Sequence, residues 1–210
     1  RGAALRRQFN DLARVRTTGE MFSRLRQTDL EAEMLDRLGA RVQMQYDYVL
    51  TDDSTLTVDG RTGDFVRYRR VLADTWRDFF LFAQEGVERL PSEAELNALT
   101  NGLLEQFALG NVDSSYVQLD AQRPVVSQTV AIGGREALET RGLWYLENGI
   151  MGGSYIRYAL VDEATDRLYV YYGMTFAPSR TIDKREILRQ MEVIGHTLRT
   201  RADLARDPNA

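Results

Sequence analysis

The sequence predicts an α+β fold with two layers: an antiparallel sheet of six to seven strands with packed helices, lying mostly on one side. Three observations predict it. Apolar residues recur at helical spacing in three separate stretches, at the start, the middle and the end of the chain. Between those stretches lie runs whose side chains alternate in polarity, bounded by Gly, Asp and Pro signals. No short-period repeat of the kind that builds solenoids is present. Each half of the chain therefore reads as a set of strands followed by a helix.

Residues 3 to 38 carry the first helical stripe, from Leu5, Phe9 and Leu12 to Met34, Leu35 and Leu38, with Thr17-Thr18-Gly19 as an expected break and Gly39 as a C-cap. Val42, Met44, Tyr46, Tyr48 and Leu50 alternate as a strand. Thr51 to Asp64 is rich in Asp, Thr and Gly and reads as a loop or irregular hairpin. Strands follow over 65–72 and 76–84, joined by Ala73-Asp74-Thr75, and Phe79 to Phe82 is apolar throughout, as in a strand covered on both faces. Pro91-Ser92 opens a helix to Leu109, with Ser92 and Glu95 at capping-box spacing. Strands are expected at 125–132, 135–146, 154–162 and 167–177, and Asp183 caps the final helix. The expected organisation is a connecting helical segment (1–38), an α+β domain (39–201) and a tail (202–210).

Composition narrows the function classes. At 210 residues the chain can bury roughly 70% of the surface its unfolded form exposes, so no metal or disulfide staple is required. With no cysteine, thiol nucleophiles, disulfides and zinc–thiolate sites are excluded. A net charge of −4 argues against nucleic acid as a partner, because phosphate contacts need a concentrated basic surface. Lys184 is the only lysine against 26 arginines, a bias that codon usage explains better than function does. The arginines from Arg1 to Arg26 suit either a basic arm or the wet face of an amphipathic helix. No run of about 18 apolar residues occurs.

Motifs for chemistry are sparse. Asp52, Asp53, Asp59 and Asp64 lack the spacing of a calcium loop. Met151-Gly152-Gly153 leads into a strand, and no Lys-Ser/Thr follows, so it is not a phosphate-binding loop. No Gly-x-Ser-x-Gly nucleophile elbow exists. His196 is the only imidazole, placed at a helix C-terminus where the macrodipole favours its charged form. A catalytic role would require a pocket where Glu139 or Glu192 converges with Arg141 or His196. No cofactor, metal or catalytic residue is expected.

The expected strands have unlike faces. In 167–177 one face carries Leu168, Val170, Tyr172, Met174 and Phe176; the other carries Arg167, Tyr169, Tyr171, Gly173 and Thr175. The apolar face is expected beneath helices and the Tyr/Arg face comparatively free, either as a docking surface or as an ordinary wet sheet face. The binding residues this suggests are Arg141, Trp144, Met151, Gly152, Gly153, Tyr155, Arg157 and Tyr169.

Arg141-Gly142-Leu143-Trp144, Asn148-x-x-Met151-Gly152-Gly153, Asp162, Ala177-Pro178 and the Arg185…Arg189-Gln-x-Glu192 helix ending in Thr197-Leu198 carry a resemblance. Together they resemble an uncharacterised family of bacterial envelope lipoproteins, a domain of unknown function (DUF4837-like). Where that family commonly has proline after the second glycine, this chain has Ser154. The resemblance implies the C-terminal part of a longer protein, preceded by an α/β region and a lipid-bearing cysteine, on the periplasmic face of the envelope. The element layout is similar to that of Mog1/PsbP-like domains, an architectural analogy without functional content. The expected function is a non-catalytic cell-envelope binding module for an unknown protein or small ligand, touching the membrane only through the absent lipid anchor. The alternatives are a structural or assembly subunit and, less favoured, a hydrolase-type enzyme.

Overall fold

The computed structural model describes residues 2–23, 25–73 and 75–207, with side chains from residue 8 onward. Arg1, Arg24, Asp74 of the expected turn and the last three residues of the expected tail lie outside the described residues, as do the side chains of Leu5, Arg6 and Arg7.

Two helices, α1 (Gly2–Phe22) and α2 (Thr28–Leu38), precede the sheet. Thr17-Thr18-Gly19 does not break α1, contrary to expectation; the chain leaves the helix only after Phe22. Thr17 is buried, and Thr18 returns its hydroxyl to the Arg14 carbonyl at 2.8 Å, so packing outweighs the roughly 1 kcal/mol cost of an exposed glycine. Gly39 caps α2 with φ 74°.

The main sheet contains β2 (Val49–Val58), β3 (Arg61–Leu72), β4 (Thr75–Glu85), β5 (Val117–Leu119), β6 (Val126–Ile132), β7 (Arg135–Leu146), β8 (Gly152–Asp162) and β9 (Arg167–Phe176). Its order is β2-β3-β4-β9-β8-β7-β5, with β6 beside β5 on the same edge of β7. Every pairing is antiparallel. Short strands β1 (Ala40–Arg41) and β10 (Arg199–Thr200) form a separate ribbon that ties the two ends of the domain together. Three further helices complete the chain: α3 (Glu93–Phe107), α4 (Lys184–His196) and α5 (Arg201–Arg206). Ser92 and Glu95 form the expected capping box on α3, and Asp183 caps α4.

The Asp/Thr-rich segment is a regular hairpin. Asp59 and Gly60, at φ 50° and 73°, form a turn whose two positive φ angles match the twist of the flanking strands. The preceding stretch, expected as a strand from Val42, stays outside the main sheet until Val49, although Val42, Met44 and Tyr48 are buried.

Both faces of the sheet are covered, and this overturns the expectation of a free Tyr/Arg side. One core joins Met34 and Leu38 of α2 and Met191 and Ile194 of α4 to Phe79, Leu81, Ile156, Tyr158, Tyr169 and Tyr171. The other joins Leu96, Leu103 and Leu104 of α3 to Phe80, Phe82, Tyr155, Val170, Tyr172 and Met174. Tyr169 and Tyr171 therefore lie under α2 and α4 and Arg157 under α3, on opposite faces. The inner strands β4, β9 and β8 have no wet face to offer.

Candidate functional site

The segment that carries the resemblance is built around close backbone approach. A side chain at Gly153 would stand 2.0 Å from the Thr175 carbonyl oxygen and 2.8 Å from Trp144 Nε1, so only glycine lets β7, β8 and β9 come together here. Trp144 Nε1 donates to that same Thr175 carbonyl at 3.2 Å. At Gly152 a side chain would meet the Trp144 carbonyl oxygen at 2.9 Å. Gly152 and Gly153 thus leave room for Trp144 to reach the end of β9.

That placement makes one wall of a cavity of about 220 Å³ at the end of the sheet. The Trp76 ring lies 5.1 Å from that of Phe176, which lies 6.4 Å from Trp144, so three aromatic rings line it in a row. Leu146, Met151 and Met174 complete the apolar wall. Its mouth is formed by Leu109 and Val112 from the turn after α3 and by Ile150 from the β7–β8 connection, all well exposed. Three large apolar side chains held in water around an apolar opening are unlike a scattered surface hydrophobe.

The floor is charged. Arg69 and Asp78 face each other in the β3–β4 register, and Arg67 is the next residue on the same face. Asp78, almost fully buried, accepts from Arg67 Nε at 3.0 Å, from Arg67 Nη2 at 2.9 Å and from Arg69 Nε at 2.8 Å. Arg67 Nη1 bonds the carbonyl of Phe107, the last residue of α3, and reaches Asp52 at 3.5 Å. Arg69 stacks over Trp76 at 5.6 Å.

A second cluster occupies the opposite face, where side chains of α1 and α4 meet those of β7. Glu139 accepts from Arg141 Nε at 2.7 Å, Gln128 Nε2 at 2.8 Å and the Tyr158 hydroxyl at 2.9 Å. Burial opposes its charge, yet those three donors hold its pKa below the usual carboxylate value. Arg141 also reaches Glu192 at 3.1 Å, and Glu192 pairs with Arg14 at 3.5 Å. Both His196 ring nitrogens lie 3.0 Å from Arg14 Nη1. Burial, then the Arg14 charge, depress the His196 pKa to about 4, so the imidazole is neutral. The expectation of a charged histidine favoured by the helix dipole is thereby corrected. Glu139, Glu192, Arg141 and His196 do converge, beside an open groove.

The predicted binding residues are therefore divided. Trp144 and Met151 line the cavity, and Gly152 and Gly153 shape it. Arg141 belongs to the cluster on the other face. Tyr155 is buried against Tyr172 at 5.2 Å. Arg157 is fully buried, bonding Asn97 at 2.9 Å, Thr100 at 3.0 Å and Thr140 at 3.3 Å. Tyr169 is buried beside Gly39. These last three do not share the cavity: α3 covers Tyr155 and Arg157, and Tyr169, itself buried, borders a separate open pocket with Gly39 and Arg167. Sequence reasoning missed Arg67, Arg69, Trp76 and Asp78. The available signal was charge inside strands otherwise read as apolar.

A search of curated proteins found no match. The model of a family described as Domain of unknown function (DUF4837) matches residues 35–197, well over half the chain, and spans the whole lining of the cavity. The chain belongs to that family.

Proposed function

We propose that this chain is a non-catalytic binding module that takes up an apolar ligand in the cavity walled by Trp76, Trp144 and Phe176. The observation that carries the reading is the cavity's construction: an aromatic row inside, exposed Leu109, Val112 and Ile150 at the mouth, and a few polar groups at one end. Apolar walls with a small number of placed polar groups are the usual make-up of ligand sites. The resemblance of Arg141 to Trp144 and Met151 to Gly153 to envelope lipoproteins supports a place in the bacterial cell envelope, reached through a lipid anchor outside this chain. A structural or assembly role is the alternative. The convergence of Glu139, Glu192, Arg141 and His196 is the one observation favouring an enzyme. Against it, each carboxylate is held by arginine, and Glu139 by Gln128 and Tyr158 as well.

The two tryptophans of the chain both line the cavity, so intrinsic fluorescence reports on it directly. A neutral apolar dye, Nile red, is expected to bind with one-site saturation and to quench that emission. Met151→Arg, which places a charge in the wall, is expected to weaken uptake by at least about tenfold without changing the far-ultraviolet circular dichroism. Uptake unaffected by Met151→Arg, or no saturable uptake, would overturn the reading.

A further inference from the structure

We infer that the ligand of this cavity is a monocarboxylate with an apolar chain of medium length, its carboxylate held by Arg69. The inference rests on the proposed use of the cavity as a binding site and concerns which end of the ligand the floor recognises.

The donors on the floor are unequally engaged. Every nitrogen of Arg67 is bonded, two to Asp78 and one to the Phe107 carbonyl. Arg69 turns only Nε and Nη2 to Asp78, and its Nη1 has no partner among the described residues. Asp78 is already approached by Nε and Nη2 of both arginines, three of the four contacts falling on Oδ2 and one on Oδ1. A cationic head would have to compete with two guanidiniums for Asp78, whereas an anionic head would find in Arg69, which lines the cavity, an N–H donor not already engaged by the described residues. Among the lining residues the charges are two guanidiniums and one carboxylate; Asp52, outside the lining, offsets part of the Arg67 charge from 3.5 Å, so what cationic surplus the floor has lies at Arg69. Arg69 lies over Trp76, so its fork is held in one plane rather than searching solvent, and a planar fork suits a carboxylate.

Size sets the chain. A volume of about 220 Å³ is small for a ligand site, which suits a chain of medium length, with any excess lying against Leu109, Val112 and Ile150 at the mouth. Methionine at 151 and 174 gives the wall the adaptability that an unbranched chain requires.

The test compares three probes with the same chain and different heads: decanoate, decanol and decyltrimethylammonium, each below its micellar concentration, titrated against tryptophan emission of the whole chain. Decanoate is expected to bind about tenfold more tightly than decanol, and the cation more weakly than either. Arg69→Gln is expected to bring decanoate to the decanol affinity while leaving decanol unchanged. Arg69→Lys, which keeps the charge but not the fork, should retain part of the preference. If decanoate and decanol bind equally to the unaltered protein, or if Arg69→Gln weakens both alike with an unchanged thermal midpoint, the carboxylate assignment falls and the cavity remains an apolar site. If no probe binds and Nile red is also refused, the binding reading itself falls.

Discussion

Single residues in this protein are explained by what surrounds them more than by their own chemistry. His196 is the clearest case. It lies at the end of α4, where the helix dipole alone would favour the imidazolium, yet the Tyr158 ring stands edge-on at 5.1 Å and Arg14 lies against both nitrogens. Burial and that neighbouring cation hold its pKa near 4, against about 6.5 in the unfolded chain. As pH falls through 6.5 the unfolded chain takes up a proton that the folded form refuses. Stability is therefore full above pH 6.5 and is lost progressively down to about pH 4. Denaturant melts of the unaltered protein and of His196→Gln should diverge over this window, the unaltered protein losing about 2 kcal/mol more between pH 7 and pH 5. Parallel pH profiles would mean that the folded protein carries a charged histidine after all.

Among the elements, α2 shows where a boundary drawn from sequence departs from the packing. The expected connector ended at Leu38, but Met34 and Leu38 are core residues and Glu31 is wholly buried. Glu31 binds Arg26, reaches Arg41 at 3.4 Å and accepts from the Met44 backbone N–H at 2.9 Å. It thereby anchors the irregular stretch that enters the sheet. Glu31→Ala takes the buried carboxylate away from Arg26 and from a backbone donor, so a loss of about 3 kcal/mol is expected in urea unfolding; a loss below 1 kcal/mol would show that α2 does not hold this stretch. Much else at this scale was legible. Residues 135–146 form the strand the alternation predicts, Asp183 caps α4, and Ser92 and Glu95 form their box, because each of those signals is local. The failures are non-local. Thr17 to Gly19 stays helical because α4 lies alongside, and the hairpin over 49–72 forms because Asp59-Gly60 outweighs a polar composition. For the site, sequence located Trp144 and Met151 through the glycines beside them. It could not supply Arg69 and Asp78, which reach the same cavity only because β4 pairs with β9 across almost a hundred residues of chain.

For the whole molecule, that β4–β9 pairing joins the two halves of the chain within the expected α+β fold, and it explains why no Tyr/Arg face is left free. A sheet assembled from two meanders whose last strands lie side by side puts the most apolar strands in the middle, where both faces need cover. The helix following each meander supplies one cover: α3 on one face, α4 with α2 on the other. Neither core is complete without the shared strands. Leu81 belongs to one core and Phe82, its neighbour on β4, to the other. Each is fully buried, so Leu81→Ala and Phe82→Ala should each cost about 3–4 kcal/mol. Because the strand is common to both cores, each substitution should lower the midpoint of one transition seen identically by tryptophan fluorescence, which reads the Phe82 side, and by far-ultraviolet circular dichroism, which reads the whole. If Leu81→Ala instead left the fluorescence midpoint in place while the circular dichroism midpoint fell, the cores would be melting separately and the sheet would not be coupling them. Coupling is also what would let a ligand near Trp144 be felt under α4, since a cavity filled on one face of β9 supports the same strand that carries Tyr171 on the other.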